Sequence, residues 1–492
     1  MQKQTTMKKL LLISAVFLGL TVAYGQKQGN IWYFGDSAGI DFNTGSPTAL
    51  LNGQLAFPIG QSHNEGTSAI SDSSGSILFY SDGMTVWNKN NQIMQNGTGL
   101  FGNFSSTQSS IIVPDPANSN RYYYLFTVSS GFCCGGNISD GLRYSRVDMC
   151  LDSSKGGVIP IEKNIKVIDT VAEKIAVTRH SNGIDYWILT HKFYSNEFWA
   201  LHLTATGIID TVVTAIGTSH TGSIAGSQGQ LKFSQNGQKI AIGATNGLNL
   251  LEIFAFDITT GVVSNCQSLN RIDNGSVYGV EFSPDGSILY SLSSSFSPFG
   301  MDIGQYDLNA GSLAAINASL ISVYNETTAV TGRGLQIGSD GKIYLVSILN
   351  SGTLSVINNP NVYGVGCNYQ NQIISLGGKQ GSYSLPSFIA GFDYSNGLIQ
   401  CDQSGISENT FNKYLTIYPN PFSSTTTLQT DNIFHNAVLT VYNSHGQTVK
   451  QIDNLSGQTI IFQRDNLSSG LYFLRLTGDN TIFYAGKLVI TD

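Results

Sequence analysis

Residues Val280–Leu292 read VEFSPDGSILYSL, and this stretch decides how most of the chain folds. Apolar residues alternate with polar ones on both sides of a turn, which is the pattern of two half-buried strands. Between them, Pro284 sets φ at the second turn position, and Gly286 accepts the left-handed conformation that closes a hairpin. A lone hairpin is marginal in water, so the fold depends on whether the stretch recurs.

Five further stretches have the same order of strand, turn and strand. The turn glycines, with Asn120 in place of one, are at positions 75, 120, 183, 237, 286 and 341. Their spacing of 45 to 63 residues is typical of one four-stranded blade of a β-propeller. Two strand-like segments remain, Asn30–Asp41 and Leu385–Phe392, and together they predict one more blade closed by both termini. The predicted fold class is all-β, with a seven-bladed β-propeller over residues 27–398; six or eight blades are the alternatives.

Several motifs resemble those of known propellers. The turn Phe282–Gly286, F-S-P-D-G, resembles the WD40-like and TolB-type repeats. The runs Asn30–Phe42, Asn64–Gly66, Phe79–Asn88 and Ser105–Ser109 are similar to a family of exported bacterial propellers, over most of residues 30–395. This resemblance implies the fold and implies no known catalytic residues.

Composition and charge indicate an exported protein and exclude some partners. Of the 492 residues, 41% are hydrophobic and 12% are charged, which is typical of an exported all-β protein. Residues 1–25 have the basic start, short apolar run and small residues of a cleavable secretory signal. Their removal takes away three lysines and moves the formal charge from −7 to −10, which argues against nucleic acid and anionic membranes as partners. No later run reaches transmembrane length, so no transmembrane segment is expected in the mature chain.

Cysteines in an exported chain are candidates for disulfides. The six candidates are Cys133, Cys134, Cys150, Cys266, Cys367 and Cys401. Ring strain disfavours a bond between the adjacent Cys133 and Cys134, so a bridge from one of them to Cys150 is expected; the alternative is that some cysteines stay free and buried. No Cys/His spacing indicates a metal site, and no motif indicates a cofactor, so neither is expected.

The C-terminal part differs from the rest in its motifs. Polar residues 399–412 predict a linker, and the short strands in residues 413–492 predict a small Ig-like β-sandwich. Four motifs in order resemble the C-terminal sorting domain of type IX (Por-type) secretion substrates. They contain Tyr418, Pro419, Asn420, Pro421, Gly446, Gln447, Gly470, Tyr472 and Lys487.

That resemblance implies recognition by the type IX secretion machinery and removal of residues 413–492 after export. It also implies release from, or attachment to, the outer surface of a diderm bacterium. An ordinary Ig-like adhesion module is the alternative interpretation of these strands.

The propeller topology predicts where polar side chains meet, because the loop before each innermost strand opens on one face of the central channel. The residues expected near that face are His63, Asn64, Glu65, Ser106, Gln108, Glu173, Lys174, His220, Gln228, Tyr278, Arg333 and Tyr383. Among them, the ligand-binding candidates are His63, Glu65, His220, Tyr278 and Arg333. Imidazole, carboxylate and guanidinium groups together can bind an anionic sugar or a peptide terminus, or transfer protons. The alternative is that these side chains hydrogen-bond neighbouring blades.

Other histidines are expected elsewhere. His180 falls in the turn on the opposite face and is expected to be solvated, whereas His191 and His202 fall in outer strands.

The leading functional prediction is a non-enzymatic secreted or cell-surface propeller that binds an extracellular glycan, protein or matrix ligand. The first alternative is a glycan lyase or hydrolase acting at the channel mouth. The second is a structural component of a surface adhesion or motility assembly. Because the sequence has no nucleophile elbow, P-loop or dinucleotide motif, no catalytic residue is assigned.

Overall fold

The computed structural model of the protein describes residues 27–56, 64–131, 136–221, 224–245, 247–272, 275–296, 299–327, 332–347, 352–394, 399, 401, 415–478 and 481–492. The chain divides into two units, residues 1–401 and residues 402–492. The expected signal and most of the expected linker lie outside the described residues. In the described part of the chain, no helix is both long and apolar enough to cross a membrane.

Antiparallel strands in chain order make up the first unit. The N-terminal sheet contains β1 (Ile31–Phe34), β2 (Ala38–Asp41) and β3 (Thr48–Leu50). The next group contains β4 (Ser68–Ser71), β5 (Ile77–Ser81), β6 (Thr85–Asn88) and β7 (Ile93–Thr98). After it come β8 (Ser110–Pro114), β9 (Tyr122–Val128), β10 (Leu142–Asp148), β11 (Gly157–Val158) and β12 (Ile165–Ile168). A parallel pairing of β7 with β11 joins these two groups into one nine-stranded sheet.

Four sheets of four strands complete this unit. The first contains β13 (Val171–Arg179), β14 (Tyr186–Lys192), β15 (Glu197–Thr204) and β16 (Gly207–Ala215). The second contains β17 (Leu231–Phe233), β18 (Lys239–Ala244), β19 (Leu250–Phe256) and β20 (Val263–Ser268). The third contains β21 (Ser276–Phe282), β22 (Ile288–Phe296), β23 (Phe299–Asp307) and β24 (Ile321–Glu326). The fourth contains β25 (Gly332–Ile337), β26 (Ile343–Ser347), β27 (Thr353–Ile357) and β28 (Tyr369–Ser375).

Helical segments in the described residues are short. A six-residue helix spans Leu313–Ala318, and a helical turn spans Leu151–Ser154. The 3₁₀ turns include Lys27–Gly29, Ile138–Asp140, Pro160–Glu162, Ile224–Ser227, Gly364–Cys367 and Ala390–Phe392.

The hairpin predicted at Val280–Leu292 is confirmed by the pairing of β21 with β22. Ser283 donates its backbone N–H to the carbonyl of Ile288 at 2.9 Å, and the φ of Gly286 is +68°. Asp285 accepts a hydrogen bond from the backbone N–H of Ser287 at 3.0 Å, so a polar turn residue holds the turn. Positive φ values recur at the turn glycines of other repeats, Gly75, Gly183, Gly237 and Gly341.

The innermost strands follow one another around a common axis. β4 contacts β8, β8 contacts β13, and the series continues through β17, β21 and β25. The chain after β28 completes the ring, because Gly334 N–H donates to Tyr383 O at 2.9 Å and Ser387 N–H donates to Thr67 O at 2.8 Å. This radial arrangement of antiparallel sheets is a β-propeller. We call the face on which the innermost strands begin the upper face, and the face on which they end the lower face.

The two ends of the propeller pack against each other. Trp32 of β1 is fully buried, and its ring centroid lies 4.8 Å from that of Phe42 and 5.8 Å from that of Phe388. Asp36 donates its backbone N–H to the carbonyl of Gln380 at 2.8 Å. The first and last segments of this unit are therefore held together by both apolar packing and a backbone hydrogen bond.

The disulfide differs from the expected one. Cys150 is bonded to Cys401, 251 residues away, and not to Cys133 or Cys134. The expected bridge is wrong because ring closure brings the end of the unit beside the loop after β10, which sequence proximity does not indicate. Cys266 and Cys367 are free, and Cys367 is buried. Residues 133 and 134 lie outside the described residues.

The second unit contains five strands, β29 (Leu415–Tyr418), β30 (Thr425–Tyr442), β31 (Thr448–Gln463), β32 (Gly470–Gly478) and β33 (Thr481–Ile490). β30 pairs with β29 through Thr427–Thr430 and with β32 through Val438–Tyr442, while β31 pairs along its other edge. Alternate residues of β32, including Leu474 and Leu476, enter a core of their own.

Candidate functional site at the upper face

The residues just before or at the start of the innermost strands form a hydrogen-bonded ring. Gly66 donates its backbone N–H to Ser106 O at 2.9 Å, and Gln108 donates to Glu173 O at 3.3 Å. Gln230 donates to Tyr278 O at 2.7 Å on the far side of the ring. At Gly279, an added Cβ would lie 2.3 Å from the carbonyl oxygen of Arg333, so this glycine permits close approach of two innermost strands.

Glu65 and Tyr278 join opposite sides of this ring. The hydroxyl of Tyr278 donates a short hydrogen bond to Glu65 Oε2, and Ser105 Oγ donates to Oε1 at 3.4 Å. The Glu65 side chain is 2% exposed. The pKa of Glu65 is raised to about 8, mainly by burial and further by the nearby negative charge of Glu173. At pH 7 most of the Glu65 carboxyl is therefore protonated.

Arg333 lies at the rim of the same cluster. Its guanidinium carbon is 4.2 Å from the ring centroid of Tyr383 and 5.5 Å from that of Tyr278. The Arg333 side chain is partly exposed, whereas the Tyr278 side chain is 1% exposed. The two aromatic faces orient the cation by cation–π attraction, which is worth roughly 0.5–2 kcal/mol per contact.

A second group of charged side chains lies further around the ring. Glu173 accepts hydrogen bonds from Ser130 Oγ at 2.6 Å and from Thr107 N at 3.2 Å. Lys174 Nζ donates to the carbonyls of residues 227, 228 and 229 at 2.6–2.9 Å. Burial raises the pKa of Glu173 and lowers the pKa of Lys174 to about 7. Because these bonds reach the segment before β8, the segment after β9 and the loop before β17, this pair ties neighbouring sheets together.

His220 belongs to this second group. Its ring stacks on that of His191 at 3.9 Å, and both imidazoles are buried. Burial lowers the pKa of His191 to about 3 and the pKa of His220 well below its usual value, and the charge of Lys174 acts in the same direction. Both rings are therefore neutral at physiological pH.

The predicted candidates thus divide into three sets. The structure brings Glu65, Tyr278 and Arg333 together, and it places His220 beside His191 near Lys174. His63 lies outside the described residues. Of the residues that contribute to the site, Ser105, Thr107 and His191 were not expected there. His191 lies on β14, the second strand of its sheet, and only the tertiary contact with His220 shows that it belongs to the site.

Below Glu65 the axis is filled by polar side chains. Gln108 donates from Nε2 to Leu231 O at 3.1 Å and accepts from Leu231 N at 2.8 Å. Gln230 Oε1 accepts from the backbone N–H groups of Val280 and Leu335. A cavity of about 20 Å³ remains at this level, room for little more than one water molecule. Its lower end is lined by residues 387–390 and Phe392. In the described part of the chain, the axis below the Glu65–Tyr278 pair is therefore filled.

In the second unit, the predicted motif residues hold local structure. The Asn420 side chain accepts from Val489 N and donates to Lys487 O, each at 2.8 Å, and so pairs with the edge of β33. Gly446 has a φ of +78° in the turn between β30 and β31. Tyr472 donates its hydroxyl to Ser468 O at 2.8 Å, whereas Tyr418 is 77% exposed.

Residues 416–491 match the family described as "Secretion system C-terminal sorting domain". The resemblance seen in the motifs is therefore confirmed for this unit. A sorting domain of this type implies export by the type IX secretion machinery to the cell surface or the extracellular space.

Distant similarities to solved structures cover the propeller. A 6-phosphogluconolactonase candidate from Bacteroides uniformis is 15% identical, over 71% of this chain and 97% of that chain, with a TM-score of 0.44. Kluyveromyces lactis Hsv2 is 11% identical, over 67% and 90% of the two chains, with a TM-score of 0.38. The Cps50 (Swd1) β-propeller domain of Myceliophteria thermophila is 11% identical, over 78% and 96%, with a TM-score of 0.31. No curated protein matches the chain significantly. The activities of these proteins are not carried over to this one.

Proposed function

We propose that this protein is a propeller-based binding module, exported by type IX secretion, that holds an acidic glycan at its upper face. The observation that carries the proposal is Arg333, a partly exposed guanidinium set against the rings of Tyr383 and Tyr278. Arginine presents a planar set of donors that matches a carboxylate with two parallel hydrogen bonds.

The protonation of Glu65 supports the same ligand class. Because its pKa is raised to about 8, the carboxyl is mostly neutral at pH 7 and does not repel an approaching carboxylate. The neighbouring Asn64 is buried, and neither side-chain polar atom has a hydrogen-bond partner. The amide becomes available to a sugar hydroxyl only if residue 64 moves on binding, so the ligand class is defined by the carboxylate that Arg333 pairs with.

The test compares binding of the mature chain to an oligogalacturonate and to its methyl-esterified form. We expect saturable binding of the free acid and little binding of the ester. Arg333→Ala is expected to weaken binding about tenfold or more, because a charge-assisted pair contributes roughly 1.5–3 kcal/mol. Arg333→Lys should recover part of the loss, since it keeps the charge without the planar donors.

Arg143→Ala is the matched control. Arg143 also lies over an aromatic ring, with its guanidinium carbon 4.6 Å from the Phe101 centroid, but it belongs to β10 and not to an innermost strand. Equal loss in both variants, or equal binding of acid and ester, would contradict the proposal. Preference for a peptide with a free C-terminal carboxylate over the uronate would reassign the ligand to a protein terminus.

A glycan lyase or hydrolase is the second candidate, favoured by the Glu65–Tyr278 hydrogen bond. A carboxyl with a pKa of about 8 beside a phenol is suited to proton transfer. The 2% exposure of Glu65 favours binding over catalysis, because the carboxyl has little surface to offer a substrate. Turnover of the oligogalacturonate that is abolished in Tyr278→Phe would favour the enzyme.

Two finer assignments of fold belong to the same proposal. Six innermost strands and the closing segment at residues 383–387 support a count of seven blades. In the second unit, the change of partner along β30, from β29 to β32, supports two layers and an Ig-like sandwich.

A further inference from the structure

A cluster of metal-ligand side chains lies on the lower face, away from the site described above. His180 and Asp185 occupy the turn between β13 and β14, and His202 lies on the adjacent strand β15. One ligand atom from each lies within 4.8 Å of those of the other two, and all three residues are partly exposed. This turn was expected to hold a solvated His180, without His202 beside it.

Two of the ligand atoms are already close enough to share one ion. His202 Nε2 lies 3.1 Å from Asp185 Oδ2. Two ligands bound at about 2.0–2.2 Å to a tetrahedral ion are separated by roughly 3.4 Å. Asn182 Nδ2 donates to Asp185 Oδ2 at 2.7 Å and so holds the carboxylate in place, as an outer partner of a metal ligand does.

The hydrogen bonds of His180 identify which of its nitrogen atoms is available. Nε2 lies 3.1 Å from the carbonyl of Thr259, to which it can only donate, and Nδ1 accepts from Asn182 N at 3.0 Å. The lone pair is therefore on Nδ1. Binding a metal there costs the bond from Asn182 N but keeps the Nε2–H bond to a carbonyl, which is a common outer contact of metal-bound histidine.

The surroundings also restrict His202. Its ring lies between that of His180, at 4.7 Å and 16°, and that of Trp187, at 4.6 Å and 27°. Trp187 is fixed by its Nε1–H bond to Ile258 O at 2.9 Å. The nearest cation in sequence, Arg179, is paired with Asp393 at 2.9 Å. His202 is thus held beside Asp185, with the His180 ring stacked on it and its ligand atom within 4.8 Å of the other two.

We propose that His180, Asp185 and His202 bind one divalent transition-metal ion of borderline softness, such as Zn²⁺. Two imidazoles and one carboxylate suit Zn²⁺, Co²⁺ or Ni²⁺, whereas Ca²⁺ and Mg²⁺ require more oxygen ligands. Water completes the coordination. The sequence does not indicate this site, because the ligands are split between a turn and a strand 17 residues further along.

The test is calorimetric titration of untagged residues 26–492, which keep the second unit, with ZnCl₂, and with CaCl₂ for comparison. We expect one saturable site for Zn²⁺ and none for Ca²⁺ from this cluster. His202→Gln and Asp185→Asn should each weaken Zn²⁺ binding about tenfold or more. Substitution with Co²⁺ adds a second readout, because its visible absorption reports ligation by these side chains and should be lost in the same variants.

His445→Ala is the matched control, since His445 is an exposed histidine in the turn between β30 and β31. It is expected to leave the titration unchanged. A thermal melt of each variant, with His180→Ala as a further substitution, separates loss of the site from loss of the fold. No one-to-one Zn²⁺ binding, or binding unchanged in the folded His202→Gln and His180→Ala variants, would overturn the proposal.

Discussion

At the scale of single residues, Glu65 is the most informative position. Its carboxyl is removed from water and bonded to Tyr278 across the axis. The residue types at the upper face follow from the repeat, because each innermost strand places its preceding residues there. The repeat does not predict which of these residues contact each other. Glu65 and Tyr278 are 213 residues apart, and their contact exists only once the ring has closed.

Glu65→Gln should change how stability depends on pH. The folded pKa of Glu65, about 8, is above its ordinary value of 4.5. Between these values the folded state keeps a proton that the unfolded state has lost. The stabilising contribution is therefore complete below pH 4.5 and is lost as the pH rises through 8. That loss is about 5 kcal/mol in the wild type and absent in the variant.

Urea unfolding of both proteins at pH 5, 7 and 9 measures this difference. Groups far from Glu65 contribute equally to both proteins and cancel in the comparison. Glu173 interacts with Glu65, so its own pKa also changes in the variant and the difference reports the two carboxyls together. Parallel free energies of unfolding for wild type and Glu65→Gln across this range would show that Glu65 does not keep its proton in the folded state.

At the scale of elements, the repeated turn closes the hairpin after each innermost strand, but its packing against neighbouring sheets differs from repeat to repeat. Gly183 and Gly237 both follow an innermost strand and have φ values of +71° and +72°. A Cβ at Gly183 would meet nothing within 4 Å, whereas one at Gly237 would lie 2.1 Å from Thr178 Oγ1. The sequence predicts the turn at both positions, but only packing between sheets distinguishes them.

Gly237→Ala should therefore destabilise the protein more than Gly183→Ala. Backbone strain in the left-handed region costs about 1–2 kcal/mol in each variant. The displacement of Thr178 adds roughly 1–3 kcal/mol at Gly237 alone. Thermal or urea unfolding of the two variants measures the difference. In the Gly237→Ala background, Thr178→Ala should remove the extra destabilisation because it removes the oxygen that the new Cβ meets, whereas Thr178→Ser keeps that oxygen and should not. Equal destabilisation of Gly237→Ala and Gly183→Ala would mean that the contact between Gly237 and Thr178 adds nothing to the free energy of the substitution.

At the scale of the whole molecule, closure and export depend on different parts of the chain. The propeller is closed by contacts between its first and last segments, and the disulfide fixes residue 401 to the loop after β10. Residues 416–491 have a core of their own and match the sorting family.

Deletion of residues 416–491 should abolish export and leave the propeller folded. In a diderm host with type IX secretion, the truncated chain is expected to stay inside the outer membrane, because the sorting domain is the part that the machinery recognises. Fractionation of cells and medium with an antibody against the propeller measures this. Unchanged secretion of the truncated chain would contradict the role of the tail. Circular dichroism of the purified truncated chain checks that the propeller is folded, so that a loss of secretion is not caused by misfolding and degradation.

Local pattern in the sequence determines the all-β class, the period of the propeller, the turn at Ser283–Gly286 and the sorting tail. The first three features depend on φ preferences and alternation within a few residues, so no distant contact is needed to predict them. The sorting tail is identified by the resemblance of its motifs to a known family. The tertiary structure alone decides that Glu65 meets Tyr278, that Cys150 bonds to Cys401 and that His202 reaches Asp185. Each of these pairs is made across strands or across the axis, where distance is set by ring closure and sheet packing rather than by position along the chain.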